Sequence, residues 1–516
     1  MKITLNNKES NVLLSDLLHR ASLDIAMPCA GNHSCGKCKV KASGELSPIS
    51  AAEACFLTQK EIDSGVRLAC FAKAAGDVCV ELPEEGTAAI LQDEYSGEAQ
   101  NNDPMISPGK YGLAIDIGTT TIVSSLYGAD SAKCVASVSE LNRQRRFGAD
   151  VISRINYAME NSLEEVHECI RAQLEEMIEK ICEKSSTARS GIEKAVVSGN
   201  TTMLHFFAGL DPKGIGFYPF KPQSLFGCEV KTLAGIPAYV PPCISAYVGA
   251  DLVCCVLASG MTRKKETSFI VDIGTNGEMA LMSDGVLYCC STAAGPAFEG
   301  AGISCGKNAC TGAISGVSYD EKTQTIKLET IDDAEANGVC GSGLIDAVAM
   351  LLFHGAIDEH GRLEQKGHPL ASCVTKDTRG LRFVFPGTDI YITQEDIRKF
   401  QLAKGAIYAG IKTLLLRAGI KEEELDVFYI CGGFGTYLNL ESAEKTGLIP
   451  AGMGEKAVVL GNGSIKGAAM LLTDKKNIKT IEQIIKINRY IELSADAEFM
   501  EQYIQAMSFA ANAVEV

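Results

Sequence analysis

Three cysteines spaced C-x5-C-x2-C, namely Cys29, Cys35 and Cys38, stand in a glycine-containing loop, and Cys70 follows about thirty residues later. Four thiolates make a soft ligand set of the kind that holds iron–sulfur clusters. Gly31 and Gly36 keep bulk out of the loop, so it can fold tightly and aim backbone N–H groups at sulfur. Zinc is the competing metal. A zinc knuckle, however, pairs two short C-x2–4-C units, and Cys70 has no close partner of that kind. Cys55 and Cys79 are spare candidates for the fourth ligand. His33 lies inside the loop and reads as solvent-facing rather than ligating, because four cysteines are already at hand.

A second chemistry is written twice. Tyr111 to Thr121 ends an apolar strand in Asp116-Ile117-Gly118-Thr119-Thr120-Thr121, and 156 residues on, Phe269 to Glu278 repeats it as Asp272-Ile273-Gly274-Thr275-Asn276-Gly277-Glu278. In each copy a glycine turn offers N–H groups and hydroxyls to an anion, with an aspartate placed to meet a metal or its water. One such turn could be an ordinary hairpin, but two copies imply two similar lobes facing each other. Further on, the apolar run Val427 to Ile430 leads into Cys431-Gly432-Gly433-Phe434-Gly435, where glycines allow a planar or anionic ligand to approach the backbone. Alone that stretch is no more than a tight turn; with the paired hairpins it points to nucleotide binding.

The elements that must position these residues follow from periodicity. Ile3 and Leu5 begin a strand, Val12 to Leu14 can return it as a hairpin, and Ser15 caps a helix carrying Leu17, Leu18 and Ala21 on one face. After the cysteine loop come a strand at Lys39 to Ala42, a short helix around Ala51 to Ile62, the Cys70 segment and a strand at Val78 to Leu82. This is the order expected of a β-grasp domain over residues 1–83. Residues 84–110 are acidic and rich in Gly and Pro, which is linker composition. Two lobes, 111–265 and 266–475, and a closing strand and helix over 476–516 complete the domain reading. Amphipathic helices are expected at Glu164 to Ile181 and Thr393 to Ala418, with Phe499, Tyr503 and Met507 on the last one. Residues 142–150, 198–205 and 295–300 each put polar groups and glycine after an apolar element, as cleft segments do; His205 reads as a helix residue and not a base.

The cysteine spacing resembles that of plant-type and, more closely, adrenodoxin-type ferredoxins. That resemblance implies a [2Fe-2S] cluster and favours Cys70 as its fourth ligand, after Cys29, Cys35 and Cys38. The paired hairpins resemble the two phosphate motifs of the acetate and sugar kinase, Hsp70 and actin superfamily. Gly118 to Thr121 and Gly274 to Glu278 would then hold phosphates, Asp116 and Asp272 would act on Mg2+ and its water, and Gly432 to Gly435 would face adenosine. Cys340 to Leu344 looks like the first connecting segment of that superfamily and Ala457 to Ala468 like the second. The implied fold class is α/β, a β-grasp ferredoxin domain followed by a two-lobed actin-like, ribonuclease H-like duplicated ATPase domain.

Taken whole, the chain resembles the reductive activators of corrinoid proteins. The resemblance implies ATP-dependent, one-electron reduction of cob(II)amide to cob(I)amide on a partner corrinoid protein of a methyltransferase system. It also implies a low-potential cellular electron donor and a homodimer. Three other classes compete: an activator of another low-potential enzyme, a small-molecule kinase with an accessory ferredoxin domain, and an ATP- and redox-responsive docking protein.

Composition excludes other functions. A net charge of −16 and a pI near 5.1 over 516 residues leave no basic stripe for nucleic acid. No uncharged apolar run is long enough to span a bilayer, and the first residues do not read as a signal peptide, so the expected address is cytoplasmic. Most of the 20 cysteines, among them Cys254, Cys255, Cys289 and Cys290, read as small buried hydrophobes.

Overall fold

The computed structural model describes residues 2–9, 11–21, 23, 25, 27, 31, 33, 36–82, 103–377, 380–432 and 438–509. Cys29, Cys35, Gly433, Phe434 and Gly435 lie outside these, so the expectations placed on them are not addressed by the geometry.

The N-terminal domain runs β1 (Lys2–Leu5), β2 (Val12–Leu13), α1 (Leu14–Arg20), β3 (Lys39–Leu46), α2 (Ala51–Ala54), α3 (Gln59–Asp63), β4 (Val66–Leu68) and β5 (Lys73–Glu81). Its sheet has the order β1-β5-β3-β4. The expected hairpin of β1 with β2 does not form: both strands pair with β5, β1 through Val78 to Glu81 and β2 through Lys73 and Ala74. β5 is nine residues long and can serve both partners at once. Nor does Ser15 cap α1, which starts two residues earlier than such a cap would set, with Leu13 at its N-cap, and leaves Ser15 buried. Leu14, Leu18, Val40, Leu68 and Val80 form the core. Each such side chain contributes about 1.5–3 kcal/mol when fully buried.

The first lobe carries β6 (Tyr111–Ile117), β7 (Thr121–Gly128), β8 (Cys134–Leu141), α4 (Val151–Glu160), α5 (Leu163–Ser185), β9 (Ile192–Gly199), α6 (Thr201–Ala208), α7 (Lys213–Gly216), β10 (Cys228–Leu233), β11 (Ile236–Val240) and α8 (Ala250–Ser259). The second begins with β12 (Ser268–Ile273), β13 (Gly277–Ser283) and β14 (Val286–Thr292). It continues through β15 (Ala313–Asp320), β16 (Thr325–Thr330), β17 (Gly338–Val339), α9 (Gly341–Phe353), β18 (Val374–Asp377), β19 (Gly380–Val384), β20 (Tyr391–Thr393) and α10 (Gln394–Ala418). It closes with β21 (Val427–Cys431), α11 (Leu440–Thr446), β22 (Ala457–Gly461), α12 (Gly463–Thr473), α13 (Lys476–Ile487), β23 (Asn488–Tyr490) and α14 (Ala497–Ala506).

The duplication read from the sequence is a duplication of sheets. One sheet has the order β10-β11-β9-β6-β7-β8 and the other β22-β21-β12-β13-β14-β23. In each, three antiparallel strands (β6–β8 or β12–β14) are followed by parallel additions, β9 then β11 and β21 then β22. By this symmetry α8, after β11, matches α12, after β22. The two helices touch through backbone: a Cβ on Gly467 would lie 2.2 Å from the Cys254 carbonyl oxygen. α8 is therefore the first connecting helix. The segment Cys340 to Leu344, expected in that role, instead opens α9 inside the second lobe. Buried Cys254 and Cys255 make α8 read as plain core, which hides its function.

The described residues group into two compact units, Met1–Thr87 with Asn142–Ile170, and Ala88–Leu141 with Arg171–Val516. Within the span of the first lobe, residues 142–170 group by packing with the first of these units. α5 runs across that boundary with Val166, Ile170, Leu174 and Met177 all buried, so composition carries no break to mark it. The end of the expected linker is anchored too. Met105 N–H donates to Leu472 O at 2.9 Å, Ser107 N–H donates to Glu193 Oε2 at 2.7 Å, and Ile106 is buried. Among the described residues no helix is long and apolar enough to cross a membrane.

Candidate functional site

In the N-terminal domain Cys38, just before β3, and Cys70, between β4 and β5, are brought together with their sulfurs 3.3 Å apart and both side chains buried. The Cys70 thiol holds the Cys38 thiol down to about 7, against burial, which pushes it up. A thiol poised this way gives up its proton readily to a metal. The spare candidates stand elsewhere: Cys55 is exposed and donates to Ala51 O, and Cys79 lies in β5 opposite Ser43 of β3 and Thr4 of β1. Gly36 is required, with φ +62° and a Cβ position only 2.9 Å from the Phe56 Cβ. His33 is exposed, and its ring packs edge-on to Phe71 with centroids 4.2 Å apart. The Cys70 segment is held by a buried ion pair. Arg67 Nε and Nη2 each donate to Glu53 at 2.9 Å, and Leu68 N–H donates to Glu53 Oε1 at 2.9 Å.

The second site is a cavity of ≈ 210 Å³ between the paired hairpins, lined by Asp116, Gly118 to Thr121, Asp272, Gly274 to Asn276, Glu278 and Gly432. Its other walls include Asn200, Asp251, Phe298, Glu299, Cys340 to Ser342, Asn462 and Ser464. Each turn is closed by its glycine, though one residue apart in span: Gly118 N–H donates to Thr121 O and Gly274 N–H to Asn276 O, both at 3.0 Å. The hydroxyl oxygens of Thr120 and Thr275 approach to 3.4 Å, so the hairpins meet tip to tip. Gly277, the turn's last residue, is packed rather than open, with Ile407 Cδ1 2.2 Å from where a Cβ would stand. Gly432 has φ +97°, and a Cβ there would lie 2.7 Å from Asp272 Oδ1, so the backbone at Gly432 reaches the phosphate side of the cleft.

Asp116 is held by the second connecting helix. Ser464 Oγ donates to its Oδ1 at 2.8 Å and Asn462 Nδ2 to its Oδ2 at 3.0 Å. Burial still raises its pKa. Asp272 accepts from the Cys255 thiol at 3.6 Å; burial, then the charge of Asp116, pushes it up to about 7. Asp251, at the start of α8, is pushed up to about 8 by burial and then by Asp116 and Asp272, and burial also raises Glu278 well above the carboxylate range. Crowded carboxylates with raised pKa values make this end of the cleft one that gains from a neighbouring positive charge, although among the described residues no three His, Cys, Asp or Glu side chains converge as a ready-made metal cage.

Asp251 is the residue the sequence reading misses: it sits in an apolar helix with no motif around it. Asn200 and Glu299 fall within two segments that read as cleft chemistry. Asn200 Nδ2 donates to Thr119 Oγ1 at 3.0 Å, and its Oδ1 caps α6. The third such segment, 142–150, contains turn-forming residues: Asn142 Oδ1 accepts from Gln144 N–H, and Asp150 caps α4. His205 is structural, with Nδ1 2.7 Å from Thr201 O, Nε2 accepting from Ser224 N–H, and burial lowering its pKa.

Fold and sites together define a ferredoxin-like domain joined to a two-lobed ATPase of the sugar kinase, Hsp70 and actin type. Three family models match: "2Fe-2S iron-sulfur cluster binding domain" over residues 2–75, "RACo middle region" over 111–264, and "C-terminal domain of RACo the ASKHA domain" over 266–516. The corrinoid activation enzyme RamQ of Eubacterium limosum is 37% identical over 426 residues, which cover 78% of this chain and 71% of that one. The Co(II) methylated amine-specific corrinoid protein reductase of Methanosarcina barkeri is 28% identical over 412 residues, 73% of this chain and 72% of the relative. A solved structure described as a reductive activator for corrinoid, iron–sulfur protein superposes with a TM-score of 0.73 at 29% identity, covering 97% of this chain and 96% of the other. The chain belongs to this family of reductive activators of corrinoid proteins.

Proposed function

We propose that this chain reduces the cob(II)amide of a partner corrinoid protein to cob(I)amide by one electron, using ATP to make the transfer possible. The observation that carries the reading is the presence on one chain of both parts, a paired-thiol site and a two-hairpin cleft, in an arrangement matched over 97% of its length by a corrinoid activator. Cys38 and Cys70, with Cys29 and Cys35, would hold a [2Fe-2S] cluster, which when bound supplies one-electron transfer. Asp116 and Asp272 would hold Mg2+ or its water, and the glycine N–H groups and hydroxyls of the two turns would take the phosphates. Gly432 to Gly435 would face adenosine.

The physical task of the cleft is thermodynamic. An electron stalls before an acceptor of lower potential, and each ~1.4 kcal/mol supplied by nucleotide moves the equilibrium about tenfold. A two-lobed ATPase supplies such energy by favouring one conformation over another. Asp116 is suited to this, because its carboxylate on β6 is bonded to the start of α12, so a change at the phosphates is felt by a connecting helix.

The test is reduction of a corrinoid partner followed by its absorbance change from Co(II) to Co(I). It should require reductant, MgATP and an intact cluster together. Cys38→Ala should fail with ATP binding intact, and Asp272→Ala should fail with the cluster intact. Mixing the two variants decides between action within one chain and action across a homodimer. Equal rate and extent of reduction without nucleotide would sink the proposal.

A further inference from the structure

Among the described residues, a side chain that bridges both hairpins lies in neither of them. Glu299 closes the one-turn helix Pro296–Glu299, and its Oε2 accepts a hydrogen bond from Thr120 Oγ1 and another from Thr275 Oγ1, each 2.5 Å long. Thr120 belongs to the first phosphate turn and Thr275 to the second, 155 residues away. A threonine hydroxyl carries a single proton. While both protons are given to Glu299, neither can be donated to a phosphoryl oxygen.

A carboxylate oxygen and a phosphoryl oxygen ask for the same thing, anionic acceptors met by convergent donors. Glu299 thus makes the contacts a phosphate would make. The turn that carries it is fixed: Phe298 is buried edge-on against Phe400, with ring centroids 5.8 Å apart, and a Cβ on Gly300 would stand 2.2 Å from Lys307 O. Glu299 itself is only half-buried, so its side chain can leave without moving the turn.

We propose that Glu299 is a positioning residue that stands in for a phosphoryl group. It draws Thr120 and Thr275 together by accepting both of their hydroxyl protons, and the phosphates of the nucleotide must displace it from them. This rests on the reading of the cleft as an ATP site. The consequence is opposite to that of an ordinary ligand contact, because removing Glu299 strengthens nucleotide binding: it abolishes both the competitor for the hydroxyl protons and the like charge facing the phosphates.

The experiment is equilibrium binding of a non-hydrolysable ATP analogue with Mg2+ to the full chain, comparing wild type, Glu299→Ala and Glu299→Gln. Glu299→Ala should bind at least about tenfold more tightly, equivalent to ~1.4 kcal/mol. Glu299→Gln, which keeps the shape and loses the charge, should fall between the two; it decides the matter alone if the alanine variant does not fold. A merely structural role would weaken binding, and a role confined to activating water would leave it unchanged, so equal or weaker binding by both variants overturns the proposal. If the wild type binds no analogue, the ATP reading itself fails and this inference falls with it.

Discussion

Replacing Glu53 by Ala should unseat the cluster domain, and the size of the effect can be worked from the ion pair beneath Cys70. Glu53 is 1% exposed and its partner Arg67 7% exposed, so solvent screens neither. The substitution leaves a guanidinium buried without its two carboxylate bonds, a loss of about 3–5 kcal/mol. It also orphans the Leu68 N–H, worth about a further 1 kcal/mol. A small domain has roughly 5–15 kcal/mol in all, so most of its margin could go. With a urea slope of about 1 kcal/mol per molar for a domain this small, the midpoint should fall by about 4–6 M. The assay is anaerobic urea unfolding, followed by bleaching of the cluster absorbance and by circular dichroism. Replacing both partners with apolar residues, Glu53→Met with Arg67→Leu, should recover most of the loss, since no charge is then left buried. A midpoint shift under about 0.5 M for Glu53→Ala would refute the reasoning, for it would mean the pair is not desolvated in solution.

Two further outcomes follow from the sites. Asp272 and Asp251 have folded pKa values pushed up to about 7 and about 8, by burial first and neighbouring carboxylates next. The folded state holds protons the unfolded chain has lost, so this contribution is complete below the ordinary carboxylate range and disappears as pH rises through 7 to 8. Thermal unfolding of the nucleotide-free protein should therefore shift down between about pH 4 and about pH 8 and level off above it, and Asp272→Asn should flatten the slope; an unchanged slope refutes the assignment. In the cluster domain, Cys70→Ala should lose the visible chromophore while Cys55→Ala keeps it, as iron and sulfide analysis would register; the reverse pattern would move the fourth ligand to Cys55.

Much of the site was legible because it is local. The Asp-Ile-Gly-Thr turns are strand–glycine–hydroxyl patterns complete within six residues, and each forms the hairpin its own backbone prefers. Thr393 is similar, since its capping box with Asp396 starts α10 at the next residue. Local reading failed where a partner came from far away. The pairing of β1 and β2 was misjudged because β5, some sixty residues on, offers a longer edge than either strand offers the other. Cys340 to Leu344 was misplaced because a glycine-led helix start looks the same wherever a lobe puts it.

By itself, then, the sequence determined which chemistry the chain carries: two hairpins for phosphate, thiols for iron, and enough apolar period to build strands and helices around them. Tertiary structure decided which groups share that chemistry. Asp116 meets Ser464 across 348 residues, Thr120 meets Glu299 across 179, and Asp251 enters the cleft from a helix that otherwise reads as core. The physical reason is range. Turn geometry and hydrophobic period are properties of neighbouring residues. A carboxylate's partners, burial and pKa depend on which distant elements pack against it, and no short stretch of residues encodes that.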